Sequence, residues 1–266
     1  MHPLLVATLV MAATWDAWRW YAQRVWDSPE EAAALALTVI FLGVLGVARR
    51  PQPDSPRCLP LVPVALLLAA YAASHALLPP IACAAIAVAA TLYCFHCAAF
   101  KERPPVAFWG LVALTLPVLP SLQFMLGYPM RVVSAAISVG LLQAHGLMVA
   151  RQGTFLVWRG ELIQFDAPCS GVNMLWAGLL LTLMGCVLLR LGAIKVMVAV
   201  ALSLVLAVAF NVLRATSLFY VEAGLVPDAP AWWHEGIGIA AFTLSAAVTL
   251  WLLTRLRGRE VIPCAS

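Results

Sequence analysis

Apolar residues run through this chain in blocks of about twenty, the length an α-helix needs to cross a hydrocarbon core of about 30 Å. The blocks predict eight membrane spans, at 3–22, 31–48, 59–78, 81–100, 106–126, 172–190, 196–221 and 234–254. Polar breaks separate most of them: Arg49-Arg50-Pro51-Gln52-Pro53-Asp54, Lys101-Glu102-Arg103-Pro104-Pro105, the run from Arg190 to Lys195, and Arg255-Leu256-Arg257-Gly258-Arg259. Basic loops favour the cytoplasmic side, so these four are expected inside. Parity then constrains the rest. Span 106–126 leaves the inner face and span 172–190 returns to it, so all of 127–171 is expected outside or dipping back into the bilayer. Residues 131–149 look helical and fairly apolar, yet a full crossing there breaks the charge pattern. They read as an interfacial or re-entrant helix, with a ninth span as the alternative. Residues 154–166 alternate in polarity and turn at Arg159-Gly160, which predicts a short β-hairpin at the outer surface.

Composition agrees with this pattern. Of 266 residues, 64% are hydrophobic and 11% charged, and the mean hydropathy is +0.95. Soluble domains carry about 25% charged residues. The expected fold class is an all-α polytopic membrane protein, a bundle of about eight helices with a small extracytoplasmic hairpin. It is expected to be a single integral membrane domain over 1–266. Within it, 1–126 holds the N-terminal spans, 127–171 the interfacial helix and hairpin, and 172–254 the spans that carry chemistry. The net charge of +4 is scattered through short loops, which reports topology and gives no nucleic-acid surface. The N-terminus lacks a basic start and continues into Trp15, Trp18, Trp20 and Trp26, so it reads as a first span with an aromatic belt rather than a cleaved signal. Seven cysteines, at 58, 83, 94, 97, 169, 186 and 264, are an odd count lying mostly in apolar helices, which does not resemble a disulfide framework.

Against that background one residue stands out. Arg214 is the only charge in the span 196–221. A mid-bilayer arginine costs about 2.5–3.5 kcal/mol on insertion scales, so it marks a functional site by default. It lies eight residues before Glu222, roughly 12 Å of helix below the outer end of its span. Two other polar groups reach the same face. Cys169, in Ala167-Pro168-Cys169-Ser170-Gly171, sits at the outer start of span six. Pro168 and Ser170 suit a helix first turn, where exposed N–H groups and the dipole favour a thiolate. His234, in Trp232-Trp233-His234-Glu235-Gly236, sits at the outer start of span eight, where an imidazole can move a proton. Thiol, guanidinium and imidazole together suit acyl transfer, with Arg214 facing a developing oxyanion. Such a site needs no metal or organic cofactor. Asn211, one turn before Arg214, is placed to orient it, and Asn173, one turn after Cys169, to contact substrate or simply to bond across helices. Each group also has a plainer explanation: a small apolar filler for Cys169, an ion pair with Glu222 or Asp166 for Arg214, an aromatic-belt histidine for His234. Cys94-Phe95-His96-Cys97 invites a redox or metal site, but no second ligand cluster lies near it, and helix packing accounts for it.

Ala-Pro-Cys-Ser-Gly at 167–171, Asn-Val-Leu-Arg at 211–214 and His-Glu-Gly at 234–236 resemble the three signatures of the exosortase/archaeosortase family, in order and on consecutive spans. Pro120, Gln123, Gly153, Gly160 and Glu161 fit the stretch before the cysteine. The resemblance covers roughly 117–245; the N-terminal half matches only in being a bundle of spans. It departs in two places: Val172-Asn173 stands where many members have an apolar residue and arginine, and Trp26-Asp27-Ser28-Pro29 stands in place of a Tyr-Ser-His-Gly stretch. The resemblance implies a multipass cysteine protease/transpeptidase of the bacterial inner membrane, with its active site at the periplasmic face. Its partners are then membrane lipid and exported proteins bearing a C-terminal sorting tail of the PEP-CTERM type, and no nucleic acid. It assigns Cys169 as nucleophile, Arg214 as electrophilic stabiliser and His234 as proton-transfer residue, with Ser170, Asn173, Asn211 and Glu235 in support. Two other readings stay open. One is a non-enzymatic membrane component of polysaccharide export, in which Arg214 pairs helices or lines a path. The other is a membrane thiol oxidoreductase using Cys94 and Cys97.

Overall fold

A computed structural model describes residues 3–49, 61–100, 102–164, 171–227, 230 and 232–258. The chain is a helical polytopic membrane protein with one small sheet. It forms two compact units, Met1–Val118 with Cys186–Ala193, and Leu119–Gly185 with Ile194–Ser266.

In the first unit the apolar start of the chain is two helices, α1 (Pro3–Ala13) and α2 (Trp15–Trp26), rather than one span. The break is at Thr14, whose hydroxyl donates to the Val10 carbonyl at 2.8 Å, a back-bond that bends helices. α3 (Pro29–Ala48), α4 (Leu61–Ser74), α5 (Pro80–Phe100) and α6 (Val106–Thr115) follow. α5 supplies the packing axis. Val6 and Val10 of α1 and Val64 of α4 meet Ala90, Tyr93, Cys94 and Cys97 of α5, while Ala17 of α2 and Tyr71 of α4 meet Cys83 and Ala87. Small residues let these backbones approach, the usual basis of helix association in lipid. Cys94 and Cys97 are thus buried packing residues. The Tyr21 hydroxyl donates to the Thr115 carbonyl at 2.7 Å and ties α2 to the end of α6.

The second unit opens with a correction. Residues 106–126 are not one span. α6 stops at Thr115 because Pro117 has no N–H to extend it, and α7 (Leu119–Ala144) starts with Pro120 in its first turn, where proline is tolerated. The expected interfacial helix at 131–149 is therefore largely the second half of a 26-residue helix with Pro129 inside it. Of the two helices, only α7 is long and apolar enough to cross a bilayer. Among the described residues, α3, α5, α7, α9 (Ala193–Glu222) and α10 (Trp233–Arg257) are long and apolar enough to cross a bilayer; α4, α6 and α8 (Val172–Leu188) are shorter apolar helices.

The hairpin is present, extended by one strand. β1 (Ala150–Gln152), β2 (Phe155–Trp158) and β3 (Glu161–Gln164) form an antiparallel sheet, with Leu156 opposite both Arg151 and Ile163. Arg159 and Gly160 both have positive φ, 51° and 89°, as a type I′ two-residue turn requires. Leu156 is fully buried against Leu142 of α7 and Ala215, Leu218 and Phe219 of α9. The sheet is therefore clamped on the helix that carries Arg214.

Candidate active site

α9 is held on α7 by two polar bridges. Asn211 Nδ2 donates to Ser134 Oγ at 2.9 Å, and Thr216 Oγ1 to Ser138 Oγ at 3.1 Å. All four side chains are buried. Hydrogen bonds between helices in a bilayer average only about 0.6 kcal/mol, so these bridges fix rotation and register more than they stabilise. Arg214, half-buried, lies between Asn211 and Thr216 in sequence.

What Arg214 faces is shown by a glycine. A β-carbon at Gly238 of α10 would lie 3.3 Å from Arg214 Nε and 3.6 Å from Cζ and Nη2. The guanidinium thus rests directly on the α10 backbone, in space that any side chain would occupy. His234 lies one turn before Gly238 on the same face of α10. Arg214 and His234 therefore lie on one side of the α9–α10 pair. His234 Nδ1 lies 3.5 Å from Glu222 Oε1, at the last residue of α9. That contact leaves Nε2 as the nitrogen for other partners. Glu222 was weighed from sequence as a partner for Arg214; here it contacts the histidine. The reason is tertiary, because the turn at Gly224 (φ 64°) redirects the chain after α9 and no periodicity encodes its return.

The third element arrives through Gly171, immediately before α8. Its φ is +80°, and a β-carbon there would sit 2.5 Å from Asn211 Cγ and 2.8 Å from both Asn211 Nδ2 and Oδ1. Only glycine meets both demands, positive φ and backbone contact with an amide. The end of the Ala-Pro-Cys-Ser-Gly motif is thereby pinned on Asn211, one turn from Arg214. Cys169 and Ser170, like Asp166, lie outside the described residues. Asn173 accepts a hydrogen bond from Gln123 Nε2 of α7 at 2.8 Å, and both amides are exposed. Glu235 is exposed in the first turn of α10, where a carboxylate offsets the positive helix end. Sequence reading missed Ser134, Gly238 and the role of Glu222. Ser134 sits at helical spacing from Ser138, but such a pair is common, and nothing local says what it faces.

Among the described residues no group of three or more His, Cys, Asp or Glu side chains is arranged to hold a metal ion. Residues 1–251 match the family model described as transmembrane exosortase. The match reaches beyond the stretch 117–245 that carries the motifs and takes in the N-terminal helices as well. No curated protein and no solved structure matches the chain.

Proposed function

The chain belongs to the transmembrane exosortase family, and from that premise we propose that it is a membrane-embedded cysteine protease/transpeptidase that cleaves C-terminal sorting tails of exported proteins. The tail is of the PEP-CTERM type, a short motif followed by a membrane helix and a basic cluster. The site lies at the periplasmic face of the bacterial inner membrane. The observation that carries this reading is the convergence of three motifs on one helix pair: Gly171 on Asn211, and Arg214 on Gly238 one turn from His234. Covalent connectivity keeps Cys169 within two residues of Gly171, at most roughly 7 Å between α-carbons.

The chemistry follows from the donor set. The Cys169 thiolate attacks the scissile carbonyl carbon, forming a C–S bond, while the carbonyl oxygen takes the negative charge. The Arg214 guanidinium, backed by a helix rather than by water, donates to that oxyanion. His234 gives a proton to the leaving amine as the C–N bond breaks, and Glu222 holds its ring through Nδ1. The resulting thioester is attacked by an amine acceptor or by water, His234 takes the incoming proton, and the thiolate is released. Gln123 and Asn173 offer an exposed amide pair for the backbone of an extended substrate.

The test is processing of a tailed substrate in cells carrying Cys169→Ala, Arg214→Ala or His234→Ala. Full-length, tail-bearing substrate is expected to accumulate in each. Normal processing in all three variants contradicts the proposal.

A further inference from the structure

The first unit contains a cavity of functional size, remote in sequence from every motif residue. It has a volume of about 530 Å³ and lies among α2, α3, α5 and α6, with Trp18, Leu42, Val88, Leu92 and Phe108 in its wall. Binding cavities for small ligands run from about 300 to 1,000 Å³, apolar with a few polar groups. This one is long. Its α5 wall extends from Val88 to Phe100, about 18 Å of helix at 1.5 Å per residue. It opens sideways past Val39, Gly43 and Phe95, which are exposed and so face the lipid phase.

Two observations at one end say what fills it. First, the end marked by Ala99 and Phe100 runs into a basic cluster. A β-carbon on Gly46 would lie 3.3 Å from Ala99 Cβ, so α3 and α5 touch there, and Arg49 follows three residues later. Arg49 donates to the carbonyls of Val187 and Leu188, and Arg190 sits 3.5 Å from Glu102. Burial, and after it the neighbouring Arg190, hold the Arg49 guanidinium below its ordinary value, with Glu102 acting the other way. Arg103, exposed, follows Glu102 in the chain. Three arginines against one carboxylate leave a net positive patch. Second, the His96 side chain, 4% exposed and one turn inside Phe100, lines the cavity, and its Nδ1 has no hydrogen-bond partner. That side chain marks the polar end of an otherwise apolar slot.

We infer that this cavity holds one acyl chain of an anionic glycerophospholipid, with the phosphate at Arg49, Arg103 and Arg190. A chain of lipid length suits the slot, the sideways opening admits it from the bilayer, and basic pockets at the cytoplasmic ends of helices select anionic headgroups. The site is independent of the cysteine chemistry and stands or falls without it.

The experiment uses the full chain purified in mild detergent, washed extensively, with retained phospholipid quantified by mass spectrometry. About one anionic phospholipid per chain is expected, enriched over its share in the host membrane. Gly43→Phe projects a ring into the mouth of the slot from a position whose β-carbon meets nothing within 4 Å, so the fold tolerates it. It is expected to lower retained lipid roughly fivefold or more. Arg103→Gln with Arg190→Gln leaves the slot intact and is expected to cut the anionic preference, roughly fivefold per arginine. Retained lipid of bulk-membrane composition in the unaltered protein, or undiminished retention in a folded Gly43→Phe protein, overturns the inference.

Discussion

At the scale of single residues, the candidate site is defined as much by absent side chains as by present ones. Gly238 makes room for a guanidinium, and Gly171 makes room for an amide. Gly238→Ala forces Arg214 to give way by a few tenths of an ångström, and Gly238→Val forces a larger displacement. Because catalytic donors must be held to within about 0.5 Å, kcat/KM for tail cleavage is expected to fall about tenfold in the alanine variant and further in the valine variant. Amounts of folded protein should be unchanged; equal activity in both variants would show that Arg214 does not act from that position. Glu222 makes a different kind of contribution. An exposed pair such as His234–Glu222 is worth only about 0–1 kcal/mol to stability. In the proposed reaction its value lies in fixing which imidazole nitrogen faces the substrate. Glu222→Ala is therefore expected to leave the thermal midpoint nearly unmoved while slowing cleavage by about 10-fold to 100-fold, since general acid–base catalysis as a whole contributes 10²–10⁴. Unchanged kinetics would reduce the pair to a surface contact.

Elements, rather than residues, decide how the three motifs meet. The β2–β3 hairpin is short, but Leu156 anchors it in the apolar cluster formed with α7 and α9. Its turn demands positive φ at two consecutive positions, and Arg159 already bears that conformation. Gly160→Ala places a second β-carbon in it, at a cost of about 1 kcal/mol. The expected result is slower cleavage with Arg214 and His234 still in place, detected as lost activity without loss of folded protein. Full activity would show that the hairpin does not set the approach of the cysteine segment. This is also where the sequence was most and least informative. The turn was legible because Arg159-Gly160 interrupts a period of two, and Arg214 because a lone charge in a 26-residue apolar run has few explanations. The break at Thr14, the division of 106–126 at Pro117, and strand β1 were not. Two helices in tandem have the same apolar periodicity as one span, and three residues with an exposed pattern carry no strand signal until a partner strand is known. The Glu222–His234 contact depends on the path of an irregular loop, which local sequence does not specify.

For the whole molecule, the loop charges make a directional prediction. Arg103 belongs to a basic loop and Arg159 to the hairpin turn, and an odd number of crossings is expected between them. Single cysteines at those positions, in a chain otherwise free of reactive thiols, should behave oppositely toward a membrane-impermeant maleimide. Arg159→Cys should label in intact spheroplasts, and Arg103→Cys only after permeabilisation. Labelling of both from one side would put the hairpin and the basic loop on the same face and undo the topology. Built on that frame, the proposed reaction uses one half of the molecule for chemistry, while the first unit offers a lipid slot and a buried α5 packing core that includes Cys94 and Cys97. The central claim is that the thiol of Cys169 is acylated by substrate. Its most direct test is mass spectrometry of the full chain, quenched in acid during turnover of a tailed substrate. The proposal predicts a hydroxylamine-sensitive adduct of the substrate fragment on the peptide containing Cys169. Continued cleavage by Cys169→Ala, with no such adduct in the unaltered protein, would contradict it.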